Sequence, residues 1–278
     1  MKLAKGRGLT AAAPAGEAGG TAAQALGVIP ARMGSQRLPG KPLVRISGHP
    51  LIEWVWRGAV RGAPSARWVV ATDAEEVAKA VRGFGGEALL TRGDHPSGTD
   101  RVAEAAACPE FQSYDVIVNV QGDEPLLPDG AVESAVRLVL SGGYDVGTVA
   151  VPIRSPDEWR DPAVVKVVVA ADGSALYFSR APIPFRRDGS PGADELASGL
   201  FLRHVGLYAF RRRALERWVR LPPAPLERVE ALEQLRALAA GLRIGVAVLE
   251  GGEPGVDRPE DIARLEPRLN SREGENRR

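Results

Sequence analysis

A loop rich in cations follows the first apolar run of the chain. Arg32, Arg37 and Lys41 are spaced along it, with Gly34 and Gly40 between them. Cationic side chains neutralise phosphate oxygens, and glycines let the backbone approach a bound anion closely. The loop is not a Walker A motif, because five residues separate its glycines and a proline follows the lysine. The spacing indicates a polyphosphate-binding loop, and the alternative is a basic loop that faces water.

An acidic segment follows a second apolar run, Val116–Val120. It reads Gln121-Gly122-Asp123-Glu124-Pro125. Because Mg²⁺ favours one or two carboxylates together with phosphate oxygens and water, a carboxylate near a polyphosphate loop is chemically coherent. We therefore predict that Asp123 is a magnesium ligand. The alternative for Asp123 and Glu124 is a turn before the proline, which is a common use of aspartate.

A further carboxylate, Asp257, stands before Arg258-Pro259-Glu260. An aspartate N-cap, an early proline and a glutamate at the third position predict the start of a helix. The segment also follows the strand-like run 244–249 through a glycine-rich loop, so this helix start is expected at the ligand-binding edge of the sheet. The residues alone leave helix capping and a ligand-binding role both open.

Polar side chains with possible binding roles are scattered over the second half. His204 and Tyr208 are four residues apart in a predicted strand, so they share one of its faces. A lone histidine is often structural, and the sequence leaves that open here. Arg180 has the geometry to hold a carboxylate bidentately, and a surface salt bridge is its alternative.

Two predicted helices bring further polar groups. An amphipathic helix predicted over 226–240 leaves four polar residues away from its apolar face, where a solvated surface is the simplest interpretation. They are Glu230, Glu233, Gln234 and Arg236. Ser97-Gly98-Thr99-Asp100 precedes the amphipathic run 101–107, and capping by Ser97 is its simplest explanation.

Hydrophobic periodicity predicts the elements that position these side chains. Short apolar runs typical of strands alternate with amphipathic runs typical of helices. The runs of the first half are 26–30, 52–61, 68–72, 75–84, 88–91, 102–107, 116–120 and 131–140. The strand-like runs lack polar alternation, as expected where helices cover both faces of a mainly parallel sheet. We therefore predict a doubly wound, Rossmann-like α/β fold that binds ligands at the carboxyl ends of its strands.

The second half has a looser pattern. Strands are predicted over 146–151, 164–170, 175–179, 205–210 and 244–249, helices over 226–240 and 259–269, and a mobile loop over 186–197. Asp172-Gly173 predicts a hairpin turn, and we expect this inserted hairpin region to contribute to dimerisation. We predict one domain over 26–270, a disordered tail over 1–25 and a frayed tail over 271–278. An organelle transit peptide remains the alternative for the first tail.

Composition narrows the possible functions. Lysine and arginine number 36 against 35 acidic residues, so the net charge of +1 provides no global field for nucleic acid or a membrane. No apolar run approaches the roughly 20 residues needed to span a bilayer. The single cysteine excludes an internal disulfide, and three scattered histidines argue against a zinc site. These features fit a protein of the reducing cytoplasm with neither nucleic-acid nor membrane partners.

The basic loop and seven later segments together carry a family resemblance. The segments are Ala71-Thr72-Asp73, Ser97-Gly98-Thr99, Asn119-Val120-Gln121-Gly122-Asp123-Glu124-Pro125, Leu176-Tyr177-Phe178-Ser179-Arg180, His204-Val205-Gly206-Leu207-Tyr208, Leu232-Glu233-Gln234-Leu235-Arg236 and Gly255-Val256-Asp257-Arg258-Pro259-Glu260-Asp261. In this order they resemble the cytidylyltransferases that activate acidic sugars, in particular the 3-deoxy-manno-octulosonate (Kdo) cytidylyltransferase family. The resemblance covers about residues 26–267. Met33 and Gln36 depart from the family's usual aromatic residue and threonine.

The resemblance implies a reaction and a set of site residues. The reaction is Mg²⁺-dependent transfer of a cytidylyl group from CTP to the anomeric hydroxyl of Kdo by a homodimer. The implied catalytic residues are Arg32, Arg37, Lys41, Asp123 and Asp257, of which the two aspartates hold the metal. The implied nucleotide-binding residues are Ala31, Arg32, Gly34, Arg37, Lys41, Ser97, Gly98 and Thr99. The implied sugar-binding residues are Gln121, Arg180, His204, Tyr208, Glu233 and Gln234.

Two other functions remain open at this stage. One is a cytidylyltransferase for another acidic sugar, such as a sialic acid or an amino analogue of Kdo. Its nucleotide-binding half would have the same sequence features. A nucleotide-binding regulatory module without turnover is a candidate from a different class. The presence of Lys41, Asp123 and Asp257 argues against the second alternative.

Overall fold

The computed structural model describes residues 25–35 and 37–276, with side chains up to residue 272. The tail predicted over 1–25 lies outside the described residues except for Ala25, which begins the first strand. The strands are β1 (Ala25–Ala31), β2 (Arg45–Ile46), β3 (His49–Pro50), β4 (Arg67–Thr72), β5 (Ala88–Leu90), β6 (Val116–Val120), β7 (Val146–Pro152), β8 (Lys166–Val169), β9 (Ala175–Ser179), β10 (Leu202–Arg211) and β11 (Ile244–Val248).

The helices alternate with these strands through the first half. They are α1 (Leu51–Gly62), α2 (Glu75–Gly83), α3 (Gly98–Ala106), α4 (Ala131–Leu140), α5 (Pro156–Arg160), α6 (Ala193–Leu196), α7 (Arg212–Arg220), α8 (Pro225–Glu230), α9 (Gln234–Ala239) and α10 (Pro259–Asn276). Short 3₁₀ turns lie at Lys41–Leu43 and Pro109–Phe111. No helix within the described ranges is long and apolar enough to cross a membrane.

One sheet of nine strands organises the described residues, in the order β11-β7-β10-β6-β1-β4-β5 with β8 and β9 branching from β10. Strands β6, β1, β4 and β5 are parallel neighbours, and β11 is parallel to β7. Because β10 runs antiparallel to both β6 and β7, those two strands run in the same direction. The carboxyl ends of β1, β6 and β11 therefore meet at one edge.

Helices cover both faces of the sheet, each with its own apolar cluster. One cluster joins α1, α2, α4 and α10 to the sheet, and the other joins α3, α7 and α9. The predicted doubly wound, mainly parallel α/β fold is confirmed. The hairpin predicted around Asp172-Gly173 is also confirmed, because β8 and β9 pair antiparallel on either side of it.

The single helix predicted over 226–240 is wrong. Ala231 adopts a left-handed backbone conformation with φ of 51°, which ends α8 and separates it from α9. Side chains three apart on one continuous helix share a face. The break instead lets Glu230 accept hydrogen bonds from Ser179 and Arg180, while Glu233 faces Thr99. Gln234 and Arg236 are buried, so the predicted solvated face is wrong as well.

Two further boundaries differ from the sequence prediction. The loop predicted over 186–197 contains the short helix α6. Helix α10 continues to Asn276, so its predicted end at residue 269 is too early. The tail predicted to fray from residue 271 is helical as far as Asn276.

Candidate active site at the carboxyl edge of the sheet

A cavity of about 310 Å³ opens at the edge where β1, β6 and β11 end. It is lined by four groups of predicted site residues: the basic loop after β1, the acidic segment after β6, the start of α3 and Asp257 before α10. The lining residues are Pro30, Ala31, Arg32, Ser35, Arg37, Lys41, Pro42, His95, Ser97, Gly98, Arg101, Gln121, Gly122, Asp123 and Asp257. Segments far apart in the chain therefore share one polar cavity.

Lys41 holds the two predicted metal ligands together. Its Nζ lies 2.7 Å from Oδ2 of Asp123 and 3.5 Å from Oδ1 of Asp257. The lysine is positioned by Gly40, whose φ of 66° turns the loop into the 3₁₀ turn at Lys41–Leu43. A positive φ suits glycine because it has no Cβ. Two carboxylates thus converge on a point where a cation already sits.

Asp257 does not cap the helix that follows it. The carboxylate of Asp261 accepts hydrogen bonds from the backbone amides of Asp257 and Arg258, both at 2.9 Å. The carboxylate of Asp257 instead forms ion pairs with Lys41 and Arg37. The capping alternative is therefore wrong for Asp257. This side chain points into the cavity and is available for ligand chemistry.

Among the other predicted residues of the basic loop, Ala31, Arg32 and Arg37 line the cavity and Gly34 does not. Arg32 and Arg37 are exposed, and Ala31 is the buried last residue of β1. A Cβ placed on Gly34 would meet no atom within 4 Å, so this glycine is not required by packing. A Cβ on Gly122 would lie 2.6 Å from the carbonyl oxygen of Pro30, which explains a glycine after Gln121.

The acidic segment is tied to β10 by two hydrogen bonds at Gly206 and to the loop before Asp257 by a third. The backbone amide of Gln121 donates to the Gly206 carbonyl, and the Gly206 amide donates to Oε1 of Glu124, both at 2.9 Å. The carbonyl of Asp123 accepts from Val256. Burial, reinforced by the charge of Asp123, raises the pKa of Glu124 to about 7. The segment that carries Asp123 is therefore fixed from both β10 and the Asp257 loop.

Glu233 joins the predicted nucleotide and sugar residues. Its carboxylate accepts hydrogen bonds from Trp218 Nε1 at 2.8 Å, Thr99 Oγ1 at 3.0 Å and Ser97 Oγ at 3.0 Å. Burial raises the pKa of Glu233, and the bonds from these donors oppose that rise. Ser97 Oγ also accepts from the amide of Asp100, so the predicted capping of α3 is confirmed.

His204 and Tyr208 contact each other on the same face of β10. Their ring centroids are 5.2 Å apart, and Phe178 meets the histidine ring edge-on at 5.2 Å. Burial, together with the positive charge of Arg203, lowers the pKa of His204 to about 3. Burial raises the pKa of Tyr208. The two side chains are therefore uncharged hydrogen-bonding groups.

Arg180 is bound by backbone carbonyls. Its guanidinium donates to the carbonyl oxygens of Glu230 at 2.8 Å, Pro162 at 2.9 Å and Ala231 at 3.4 Å. Neither a surface salt bridge nor a contact with the main cavity appears for this side chain among the described residues. Its predicted role in carboxylate binding stays a prediction.

Comparison with known proteins identifies the family. Residues 26–244 match the family model described as cytidylyltransferase. The chain belongs to the cytidylyltransferase family. A 3-deoxy-manno-octulosonate cytidylyltransferase from Gemmatimonas aurantiaca is 52% identical over 239 residues, which are 86% of this chain and 92% of that protein. The same enzyme from Syntrophobacter fumaroxidans is 48% identical over 88% of this chain and 96% of its own length.

A solved structure agrees with the sequence relatives. The structure of CMP:2-keto-3-deoxy-manno-octonic acid synthetase complexed with CTP matches with a TM-score of 0.78 and 40% identity. The match covers 89% of this chain and 99% of the solved one. The family resemblance inferred from the sequence motifs is confirmed.

Two ionisable side chains of the cavity, those of His95 and Arg101, are not among the site residues predicted from the sequence. His95 contacts the carboxylate of Glu104, and Arg101 donates to Thr91 Oγ1 at 2.5 Å and lies 3.5 Å from Asp73. Both side chains are almost fully buried beside the cavity. Their positions near Ser97 in the sequence could have indicated them. His95 precedes Ser97 by two residues, and Arg101 follows it by one helical turn.

The donor set fits a hard divalent cation of the kind that the family resemblance implies. Mg²⁺ binds through one or two carboxylates plus phosphate oxygens and water. Asp123 and Asp257 supply two carboxylates, and the ammonium of Lys41 already stands as a cation between them. Within 25–35 and 37–276 no cluster of three or more histidine, cysteine, aspartate or glutamate side chains could hold a metal. A site built on two carboxylates therefore needs oxygens from a bound phosphate or from water.

Proposed function

We propose that this protein transfers the cytidylyl group of CTP to the anomeric hydroxyl of Kdo, producing CMP-Kdo and pyrophosphate. The observation that carries the proposal is the cavity in which Lys41 joins Asp123 and Asp257 beside a basic loop. The named activity of the relatives and the CTP bound in the related solved structure support the same reaction.

Arg32, Arg37 and Lys41 bind the triphosphate in this proposal. The sugar hydroxyl oxygen forms a bond to the α-phosphorus, the bond to the bridging oxygen of pyrophosphate breaks, and the hydroxyl proton passes to water. Negative charge grows on the departing pyrophosphate, and cations placed beforehand in a cavity stabilise it. Positioning of the two reactants supplies most of the remaining rate enhancement.

Asp123 and Asp257 would hold Mg²⁺ at the same cavity. The bound ion would act as a Lewis acid on phosphate oxygens and reduce their charge repulsion toward the incoming hydroxyl. Asp123 is fixed for this role because its backbone carbonyl is bonded to Val256. Lys41 keeps the two carboxylates together in the free protein.

Uncharged and acidic side chains form the sugar side of the proposed site. Gln121, His204, Tyr208, Glu233 and Gln234 supply acceptors and donors for sugar hydroxyls. The support is that Gln121 lines the cavity and that Glu233 accepts hydrogen bonds from Ser97 and Thr99. Arg180 has five N–H donors, of which three are bonded to backbone carbonyls, so two are left for the sugar carboxylate.

A homodimer in the cytoplasm completes the proposal. Large apolar side chains are exposed between β9 and α8, and Phe185 is 80% exposed. Exposed apolar surface of this kind favours association with a partner. The others in this part of the chain are Leu176, Leu200, Leu226 and Val229. Sedimentation equilibrium tests the dimer, and a monomer at micromolar concentration would contradict it.

A pyrophosphate-release assay tests the function. The enzyme is incubated with CTP and Mg²⁺, and separately with Kdo, a sialic acid, an amino analogue of Kdo, or no sugar. We expect release with Kdo at a kcat/KM at least about tenfold above that for the other sugars. Preference for another sugar would overturn the assignment of Kdo. Absence of release with every sugar would overturn catalysis and favour a nucleotide-binding module.

A further inference from the structure

Thr148 on β7 contacts the imidazole of His204 on the neighbouring strand β10. Its Oγ1 lies 2.8 Å from Nε2 of His204 and 2.6 Å from the carbonyl oxygen of Leu207. Thr148 is fully buried, so water does not compete for these two contacts. Both distances are those of hydrogen bonds, and the proton that serves each can be assigned.

A threonine hydroxyl has a single proton and can accept through its lone pairs. A carbonyl oxygen can only accept, so the hydroxyl proton of Thr148 is donated to Leu207. Nε2 of His204 must then be the donor in the second hydrogen bond. The neutral histidine consequently carries its proton on Nε2, and Nδ1 is left with a lone pair.

A β-bulge in β10 directs the carbonyl of Leu207 toward Thr148. Val205 pairs with Val149 and Tyr208 pairs with Thr148, so Gly206 and Leu207 form a bulge with no partners on β7. Bulges redirect backbone groups and side chains near functional sites. The bulge is fixed on its other side, because Gly206 is bonded to Gln121 and Glu124.

The orientation of the imidazole is fixed as well. Phe178 meets the ring edge-on and Tyr208 lies against it, each with a centroid distance of 5.2 Å. Among the described residues, Thr148 is the one hydrogen-bond partner of this ring. Burial and the neighbouring charge of Arg203 keep the ring neutral, as the lowered pKa of His204 indicates.

We propose that Thr148 is a positioning residue that holds His204 in its Nε2-protonated form, so that Nδ1 accepts a hydrogen bond from a hydroxyl of the bound sugar. This assignment rests on the proposed function. It restricts His204 to hydroxyl or ammonium groups of the substrate, because a lone pair repels a carboxylate. The sugar carboxylate must therefore be bound by other residues.

Nitrogen NMR of the free, full-length protein tests the tautomer directly. The chain has three histidines, so ring-¹⁵N labelling gives few signals, and a His204→Asn variant assigns those of His204. At pH 7 we expect the long-range ¹H–¹⁵N pattern of a neutral ring protonated on Nε2. A pattern showing the proton on Nδ1, or a charged ring, would overturn the proposal without any substrate being involved.

Two variants of Thr148 extend the test. Thr148→Ser keeps the hydroxyl, and we expect the Nε2-protonated pattern and a KM for Kdo within about twofold of the original. Thr148→Val keeps the shape but removes the acceptor. We expect it to shift the proton toward Nδ1 and raise the KM for Kdo about tenfold, with little change in the KM for CTP. An unchanged tautomer in a folded Thr148→Val protein would overturn the role of Thr148.

The kinetic and spectroscopic results separate the two levels of the proposal. A shifted tautomer with an unchanged KM for Kdo would overturn the contact between Nδ1 and the sugar. Failure of the proposed function would appear as absence of turnover in the original enzyme, with the Nε2-protonated pattern intact. If Thr148→Val fails to fold, the original protein and Thr148→Ser still decide the tautomer.

Discussion

The ammonium nitrogen of Lys41 lies 2.7 Å from Oδ2 of Asp123, although 82 positions separate the two residues. Lys41 follows β1 and Asp123 follows β6, and these strands are parallel neighbours in the sheet. The contact therefore joins the two loops that the sequence marks for polyphosphate and for metal. It also gives the cavity one centre of charge on which both substrates of a cytidylyl transfer can be organised.

Removal of a cation from this centre is expected to impair catalysis more than folding. Lys41→Ala and Arg37→Ala each remove a positive charge from a cavity that must hold a triphosphate, and we expect kcat/KM for CTP to fall about 100-fold. Steady-state kinetics with pyrophosphate detection measure the effect.

Lys79→Ala and Arg82→Ala on the exposed side of α2 are the matched controls, since they remove the same charges away from the cavity. The controls should keep kcat/KM within about twofold. Near-normal kcat/KM in both loop variants would remove the basic loop from the active site.

Glu233 should stabilise the fold as well as shape the site. Its carboxylate accepts a hydrogen bond from Nε1 of Trp218, and this tryptophan is almost completely buried. Glu233→Ala leaves that donor without a partner, so we expect the free energy of unfolding to fall by about 2 kcal/mol. Urea denaturation measures the change, and Glu216→Ala at an exposed position of α7 is the control. Equal stability of the two variants would contradict the bridging role of Glu233.

His204 should make stability depend on pH. Its pKa is lowered from 6.5 to about 3 in the folded protein, mainly by burial. Below pH 6.5 the unfolded chain binds a proton at His204 that the folded protein does not bind, so this contribution to stability is lost as pH falls toward 3.

The free energy of unfolding of the original protein should fall between pH 7 and pH 4.5. We expect the fall to be about 2 kcal/mol smaller in the His204→Asn variant. Urea denaturation at the two pH values gives this difference. Parallel curves for both proteins would show that His204 titrates equally in the folded and unfolded states.

Much of the fold could be predicted because buried parallel strands appear as continuous apolar runs. The run 116–120 and the amphipathic run 131–140 correspond to β6 and α4 without any shift. The position of β10 between β6 and β7 could not be predicted, since periodicity says nothing of strand order. Nor could the path of the loop after β11, whose Val256 amide bonds to the carbonyl of Asp123 and which brings Asp257 to Lys41 across 216 positions of the chain.

The site was predicted best where a motif follows a strand. Asp123 and Lys41 are of this kind, and both line the cavity. The break at Ala231 could not be predicted, because alanine has the highest helix propensity and rarely adopts the left-handed conformation found here. The residue that caps α10 could not be predicted from the sequence either. Asp257 precedes the helix and Asp261 is in its first turn, and only the hydrogen bonds show that Asp261 accepts the backbone amides.

Asp257 and Asp261 form a natural pair for separating catalysis from stability. Asp261 accepts the amides at the start of α10, so Asp261→Ala should lower the free energy of unfolding by about 1 kcal/mol and leave kcat within a few-fold. Asp257→Asn should do the reverse, because the amide lacks the charge needed to hold Mg²⁺ tightly.

The most direct test is the rate of pyrophosphate release by Asp257→Asn, measured with CTP and Kdo over a range of Mg²⁺ concentrations and paired with its thermal unfolding. The account predicts an unfolding midpoint close to that of the original protein and a rate lower by at least about 100-fold at limiting Mg²⁺. A normal rate at limiting Mg²⁺ would contradict it, and the metal site would then have to be built from Asp123 and other groups.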